Sequence, residues 1–343
     1  MQKWEQIQGV YIHTPFCLQK CLYCDFASYA GADTETMEKY VDAVCSEIMM
    51  RSNEVTIADQ ATLYFGGGTP SLLSEKLLAK LVEALQKNGC WLQPAEATIE
   101  VNPGTADLDK LRFFKDLGFD RISFGVQSLN DAELRAVGRI HTANEALDAI
   151  TMAEKAGFTR VSADLIYGLP EQSLQTLKTS LQNLTAAGLQ HLSVYGLTIE
   201  KNTPLAGMLD KGKVELPDED CQLAMYELVQ EYLEAQGLHR YEISNYAVSG
   251  QESRHNLVYW HYLPYLSFGS SACSFNGSQR FTATDSVTDY IESIQSGKSC
   301  GGFEDLTKEM QLSEYLFMGL RTTVGIDLIE TEQRFGCDVM LEF

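Results

Sequence analysis

"HTPFCLQKCLYCDFASY", His13–Tyr29, places three cysteines, Cys17, Cys21 and Cys24, close together in the spacing C-x3-C-x2-C. An aromatic residue, Tyr23, directly precedes the last of them. Three readings compete. On a helix the thiols would share an i, i+4, i+7 face as small apolar groups. With His13 they would make a four-ligand zinc site, although zinc ligands usually come as two separated pairs. On an iron–sulfur cube, whose corners are normally held by thiolates, three cysteines leave one iron free. An open corner on a metal centre is where an outside ligand binds.

Outward from this stretch, strand-like and helix-like segments alternate from about residue 35 to residue 200. "ETMEKYVDAVCSEIMMR", "SEKLLAKLVEALQKNG", "DLDKLRFFKDLG", "DAELRAVG", "ANEALDAITMAEKAG" and "SLQTLKTSLQNLTAAG" carry helical periodicity. In the second of these, Ser74 is a candidate cap and Gly89 a stop. "ATLYFGGG", "ATIEVNP", "RISFGVQS", "RVSADLIYGLP" and "LSVYGLTIE" read as strands. Such alternation predicts a parallel sheet with right-handed crossovers. Counting the unit that opens at "GVYIHTPFC", there are about six units, too few for a closed eight-unit barrel. An α/β fold built as a partial, open barrel is expected, though periodicity alone does not separate it from a doubly wound sheet.

After residue 200 the pattern changes. A turn-rich charged stretch leads into the long helix "CQLAMYELVQEYLEAQG", then a segment dense in aromatic and small residues over 241–285, then "EDLTKEMQLSEYLFMGLRTTVGIDLIETEQRFG", which reads as helices joined by a turn. We expect the partial barrel over 1–210, a barrel-completing region over 211–300, and a smaller, mostly helical C-terminal domain over 301–343.

The 343 residues carry a net charge of −21 and are 45% hydrophobic. That acidity opposes nucleic-acid binding, which needs basic patches, and adhesion to anionic lipid. No apolar stretch has membrane-spanning length, so no direct membrane insertion is expected. The start, "MQKWEQIQGVYIH", lacks the layout of a secretion signal, and a cytoplasmic location is expected. The other six of the nine cysteines, Cys45, Cys90, Cys221, Cys273, Cys300 and Cys337, are scattered and read as small buried apolar residues.

Further polar residues punctuate the strand ends. Gly66, Gly67 and Gly68 would let the backbone approach a ligand closely, or simply turn into the next helix. Glu100, between Ile99 and Val101, either alternates to a wet face or points into the barrel and needs a partner there. Gln127, Arg139 and Asp164 lie at or after strand ends, where barrel-like proteins gather ligands.

The cysteine spacing with its aromatic residue resembles the signature of radical S-adenosylmethionine proteins. The resemblance implies a [4Fe–4S] cluster, one per chain, on Cys17, Cys21 and Cys24, with S-adenosyl-L-methionine on the open iron, and a partial (βα)6 barrel. The order of the other motifs resembles the coproporphyrinogen III dehydrogenase (HemN-like) branch. It implies Tyr11, Tyr23, Gly67, Gly68, Thr69, Glu100, Gln127, Arg139 and Asp164 as cofactor-binding residues. The dehydrogenases of that branch carry a further cysteine two places after the third ligand; here that place is Phe26. "RHNLVYW", Arg254–Trp260, resembles the H-N-x-x-Y-W mark of the haem chaperones of this branch. That resemblance implies haem binding at His255 and transfer of haem to acceptors such as respiratory proteins, by a monomer or a homodimer. The match runs from about residue 7 to 335, and relatives of this kind usually continue beyond the place where Phe343 stands. The alternatives are an oxygen-independent coproporphyrinogen III oxidase and a zinc-stabilised binding module.

Overall fold

The computed structural model describes residues 4–91 and 94–336. Six parallel strands make its centre: β1 (Trp4–Thr14), β2 (Val55–Gly67), β3 (Ala97–Val101), β4 (Arg121–Gln127), β5 (Arg160–Tyr167) and β6 (His191–Gly196). The helices between them are α1 (Thr34–Arg51), α2 (Glu75–Lys87), α3 (Leu108–Asp116), α4 (Asp131–Ala136), α5 (Ala143–Lys155) and α6 (Leu174–Ala186). This is the six-unit alternation that the sequence predicts. Local signals set the ends. Ser74 accepts a hydrogen bond from the Leu77 N–H, and Thr142 with Glu145 forms a reciprocal capping box.

The chain continues through α7 (Pro204–Leu209), α8 (Glu219–Ala235), β7 (His239–Arg240), β8 (Asn245–Ala247) and α9 (Arg254–Trp260). It then adds β9 (Tyr265–Phe268), β10 (Cys273–Phe275), β11 (Gln279–Ala283), α10 (Val287–Gln295), β12 (Gly301–Asp305), α11 (Lys308–Gly319) and α12 (Leu328–Phe335). The sheet order is β12-β11-β10-β9-β1-β2-β3-β4-β5-β6-β8-β7. β9 joins β1 as a seventh parallel strand, and the strands beyond it are antiparallel. Two edge strands remain, so among the described residues the barrel is open.

The expected boundary at 300 falls immediately before β12, which pairs with β11 and extends the sheet to Asp305. The helical C-terminal part begins after it. Among the described residues a hydrophobic core runs from Trp4 to Cys300, so the expected regions on either side of residue 210 share it. A second cluster, Tyr262, Phe275, Leu306 and Tyr315, seats α11 against the added strands. Cys90 and Cys300 are buried, while Cys45, Cys221 and Cys273 are partly so; Cys337 lies outside the described residues. Among those residues, no helix is long and apolar enough to cross a membrane.

Strand alternation positions the site. Val10, Ile12, Leu63, Phe65, Ile99, Ile122 and Phe124 pack outward with the helices. The residues between them are largely polar: Tyr11, His13, Thr62, Tyr64, Thr98, Glu100, Arg121, Ser123, Ser162 and Asp164. Parallel strands are usually apolar on both faces. Here one face is polar, and hydrogen bonds join Ser162 to Ser123 (2.8 Å) and Arg121 to Ser162 (3.0 Å).

Candidate functional site

The site forms where the loop after β1 meets the C-terminal ends of β2 to β5. That loop is fastened rather than loose. The Leu22 N–H donates to the Val137 carbonyl (3.0 Å), and Gln19 Nε2 to the Gly138 carbonyl (2.9 Å). The Leu205 N–H, in the first turn of α7, donates to the Leu22 carbonyl (2.9 Å). Cys17, Cys21 and Cys24 line one cavity, open on one side to solvent. Lining it with them are Tyr23, Gly67, Gly68, Thr69, Glu100, Gln127, Arg139 and Asp164. These expected site residues are therefore gathered in one place.

The thiols are tied to the strand-end residues. Thr69 Oγ1 donates to Cys17 Sγ (3.6 Å) and Arg139 Nη1 to Cys21 Sγ (3.5 Å). Burial pushes the Cys17 thiol pKa up, with the Thr69 hydrogen bond opposing it. Gly68 packs against the backbone: an added Cβ would stand 2.8 Å from the carbonyl oxygens of Phe16 and Thr14. Gly67 takes φ +106°, and an added Cβ there would meet the His13 ring at 2.5 Å. Gln127 is a non-glycine residue at φ +66°, a strained backbone at the cavity wall.

Glu100 is the charged centre of the polar face. Tyr64 donates its hydroxyl to Oε1 (2.7 Å) and the Gly67 N–H donates to Oε2 (3.1 Å). Burial raises its pKa to about 7; the Tyr64 hydrogen bond lowers it and the nearby Asp164 charge raises it. Asp164 is itself shifted upward by burial.

Sequence reasoning missed Asn102, although "IEVNPG" contains it. Its Nδ2 donates to Thr69 Oγ1 (2.7 Å), and its Oδ1 accepts from Arg139 Nη2 (2.9 Å). The available signal was position, since Asn102 directly follows β3 at the cavity.

Two expected residues lie elsewhere. Tyr11 does not line the cavity; its hydroxyl donates to His13 Nδ1 (3.1 Å). His13 Nε2 in turn donates to the Ala27 carbonyl (3.0 Å), because a carbonyl only accepts. Both His13 nitrogens are thus engaged, which leaves no ring nitrogen for a zinc site with the cysteines. Among the described residues, no three His, Cys, Asp or Glu side chains gather closely enough for a single metal ion. His255 departs further from expectation. It is 1% exposed, with Nδ1 2.7 Å from Thr62 Oγ1 and Nε2 2.9 Å from the Tyr259 hydroxyl. Burial lowers its pKa to about 3. In this arrangement neither ring nitrogen is open to an iron, so the site does not fit His255 as a haem ligand.

The pocket fits an iron–sulfur cluster with a polar guest beside it. Three thiols face one cavity, a glycine cradle admits a close ligand, and Arg139 Nε is buried without a partner among the described residues.

Comparison with known proteins gives the same picture. The radical SAM superfamily model matches residues 11–184. The haem chaperone HemW of Bacillus subtilis is 35% identical over 335 residues, spanning 96% of this chain and 87% of that protein. HemW of Synechocystis is 37% identical over 326 residues, spanning 93% and 79%. The radical S-adenosyl methionine domain-containing protein 1, mitochondrial, of Danio rerio is 34% identical over 333 residues, spanning 93% and 73%. Among solved structures, coproporphyrinogen III oxidase (HemN) from Escherichia coli superposes with a TM-score of 0.84 at 23% identity, covering 98% of this chain and 80% of that one. At that identity it speaks for the fold.

Proposed function

The chain belongs to the radical S-adenosylmethionine superfamily and, within it, to the HemW haem chaperones, and from that membership we infer that it binds haem and passes it to haem-accepting proteins. Its cofactors are a [4Fe–4S] cluster and S-adenosyl-L-methionine. The observation that carries the reading is similarity above 30% to HemW proteins along nearly the whole chain.

We assign Cys17, Cys21 and Cys24 as the cluster ligands. When bound, the cluster supplies an open iron that can chelate the amino and carboxylate groups of S-adenosylmethionine. The chain's own residues prepare the place. Gly68 leaves room beside the Phe16 and Thr14 carbonyls for a close ligand. Glu100, in its ionised form, faces a cationic guest, and Arg139 supplies positive charge for a carboxylate. Thr69, Gln127, Asp164 and Tyr23 complete the wall.

The acceptors are respiratory proteins in this reading, and the location is the cytoplasm, where thiols stay reduced. Porphyrinogen oxidation is disfavoured by Phe26, which stands where the dehydrogenases resembled here carry a further cysteine. The test is anaerobic reconstitution, haem titration, and transfer to an apo-haemoprotein followed by its visible spectrum. Stoichiometric uptake and transfer are expected. Protoporphyrinogen formation from coproporphyrinogen, without haem transfer, would overturn the chaperone reading.

A further inference from the structure

The helix α9 carries the H-N-x-x-Y-W motif, and its start is fixed deep in the fold. Ser253 caps it, and the buried Glu96 accepts from the N–H groups of both Arg254 and His255 (3.1 Å each). Glu96 is itself paired with Arg160 (2.7 Å). This anchoring directs the His255 side chain onto the polar face of β1 and β2. Gly9 makes the room: a Cβ there would stand 3.2 Å from His255 Cε1. The imidazole lies stacked on Tyr64, with ring centres 5.0 Å apart and planes 25° apart, and on Tyr11 at 6.4 Å and 26°. Tyr64 then reaches Glu100 through its hydroxyl.

We propose that His255 is a positioning residue for the S-adenosylmethionine site, seating the Tyr64 ring so that its hydroxyl fixes and partly stabilises the Glu100 carboxylate, and that it is not the iron ligand of bound haem. The proposal rests on the assignment of Glu100 to that site. The connection is continuous and short: α9, His255, Tyr64, Glu100, Gly67 N–H. Thr62 and Tyr259 hold the imidazole from opposite sides, so the ring has one place to sit. Desolvation keeps it neutral at physiological pH, which suits packing against Tyr64 rather than ion pairing. Glu100 is faced by Asp164 from β5, which raises its pKa, and by Arg121 from β4, which lowers it; Tyr64 is the close donor on β2.

The experiment uses the anaerobically reconstituted protein and S-adenosylmethionine itself. Equilibrium affinity is measured from pH 5.5 to 9, with haem stoichiometry and thermal midpoint on the same samples. In wild type, affinity rises as Glu100 ionises. Tyr64→Phe keeps the ring but removes a hydrogen bond to the charged form. We expect its pH midpoint to move upward and its affinity at pH 7 to fall about fivefold. His255→Ala should shift the midpoint in the same direction while haem uptake stays stoichiometric. His255→Asn, which keeps a planar amide beside Thr62, should recover part of the effect and serves if the alanine variant folds poorly. Loss of haem uptake with an unchanged S-adenosylmethionine profile in both His255 variants would overturn the proposal. So would an unchanged profile with normal haem uptake. A separate arm, Glu100→Gln, reads the underlying assignment: no effect on S-adenosylmethionine binding there would mean that Glu100 is not in the site at all.

Discussion

Asn102 clamps Arg139: its carboxamide oxygen accepts from Nη2 at 2.9 Å, while its amide nitrogen donates to Thr69 at 2.7 Å. Arg139 and Thr69 each reach a different cysteine. One neutral side chain therefore sets the spacing of two groups that touch the thiols. Asn102→Ala leaves both partners short of a hydrogen bond, at a cost of about 1–2 kcal/mol. We expect S-adenosylmethionine affinity to fall about tenfold, with the chain still folded. Equilibrium binding to the reconstituted protein checks it, and unchanged affinity would remove the clamp.

Gly67→Ala combines a positive φ with a clash into a buried, doubly hydrogen-bonded His13. We expect a loss of about 2 kcal/mol or more. Gly31→Ala is the control, since Gly31 also has positive φ (+78°) but nothing within 4 Å of an added Cβ. Urea unfolding of both variants separates backbone strain from the clash. Equal losses would show that the contact with His13 contributes nothing.

Glu100 makes stability depend on pH. Its folded pKa, about 7, lies above the ordinary value of 4.5. The unfolded chain therefore loses this proton at lower pH than the folded chain does. The contribution is fully present below about pH 4.5 and is lost as pH rises through 7. Glu100→Gln stays neutral throughout, so it should be the more stable protein at pH 8.5 when S-adenosylmethionine is absent. Thermal midpoints of both proteins at pH 5.5 and 8.5 measure the difference. A variant gaining nothing over wild type between the two pH values would contradict the shift.

Much of this was readable in advance. "ATIEV" and "RISFGVQ" alternate, and the alternation places Glu100 and Gln127 on the cavity side while Ile99 and Phe124 pack outward. The cysteine loop follows β1 directly, so its place at the strand ends follows from the parallel order. Other features depend on tertiary contacts that periodicity does not encode. The first half of β2, "VTIADQ", has no clear apolar period, yet pairs in part with β1. β9 to β12 are short and rich in small residues; β9 becomes a strand on the open edge of β1, and β10 to β12 add to it one after another. His255 could be picked out by its motif, but its direction is set by Glu96 and Gly9, far away in sequence.

Phe26 is 70% exposed and lines the cavity, and its carbonyl accepts from Lys20 Nζ (2.9 Å) and Ser28 Oγ (3.3 Å). Phe26→Ala should change stability by no more than about 0.5 kcal/mol and leave iron content unchanged. Iron analysis and a denaturation curve test this. A variant that lost iron would make the side chain a structural part of the site.

Three thiolates are assigned to hold a four-iron cube and to leave one iron for S-adenosylmethionine. Mössbauer spectroscopy of the anaerobically reconstituted, iron-57-labelled protein addresses this assignment most directly, recorded with and without S-adenosylmethionine. We expect one distinct iron site whose parameters change when S-adenosylmethionine is added, and loss of the cube in Cys17→Ser, Cys21→Ser and Cys24→Ser. Four equivalent irons that do not respond to S-adenosylmethionine, or zinc in place of iron, would contradict it.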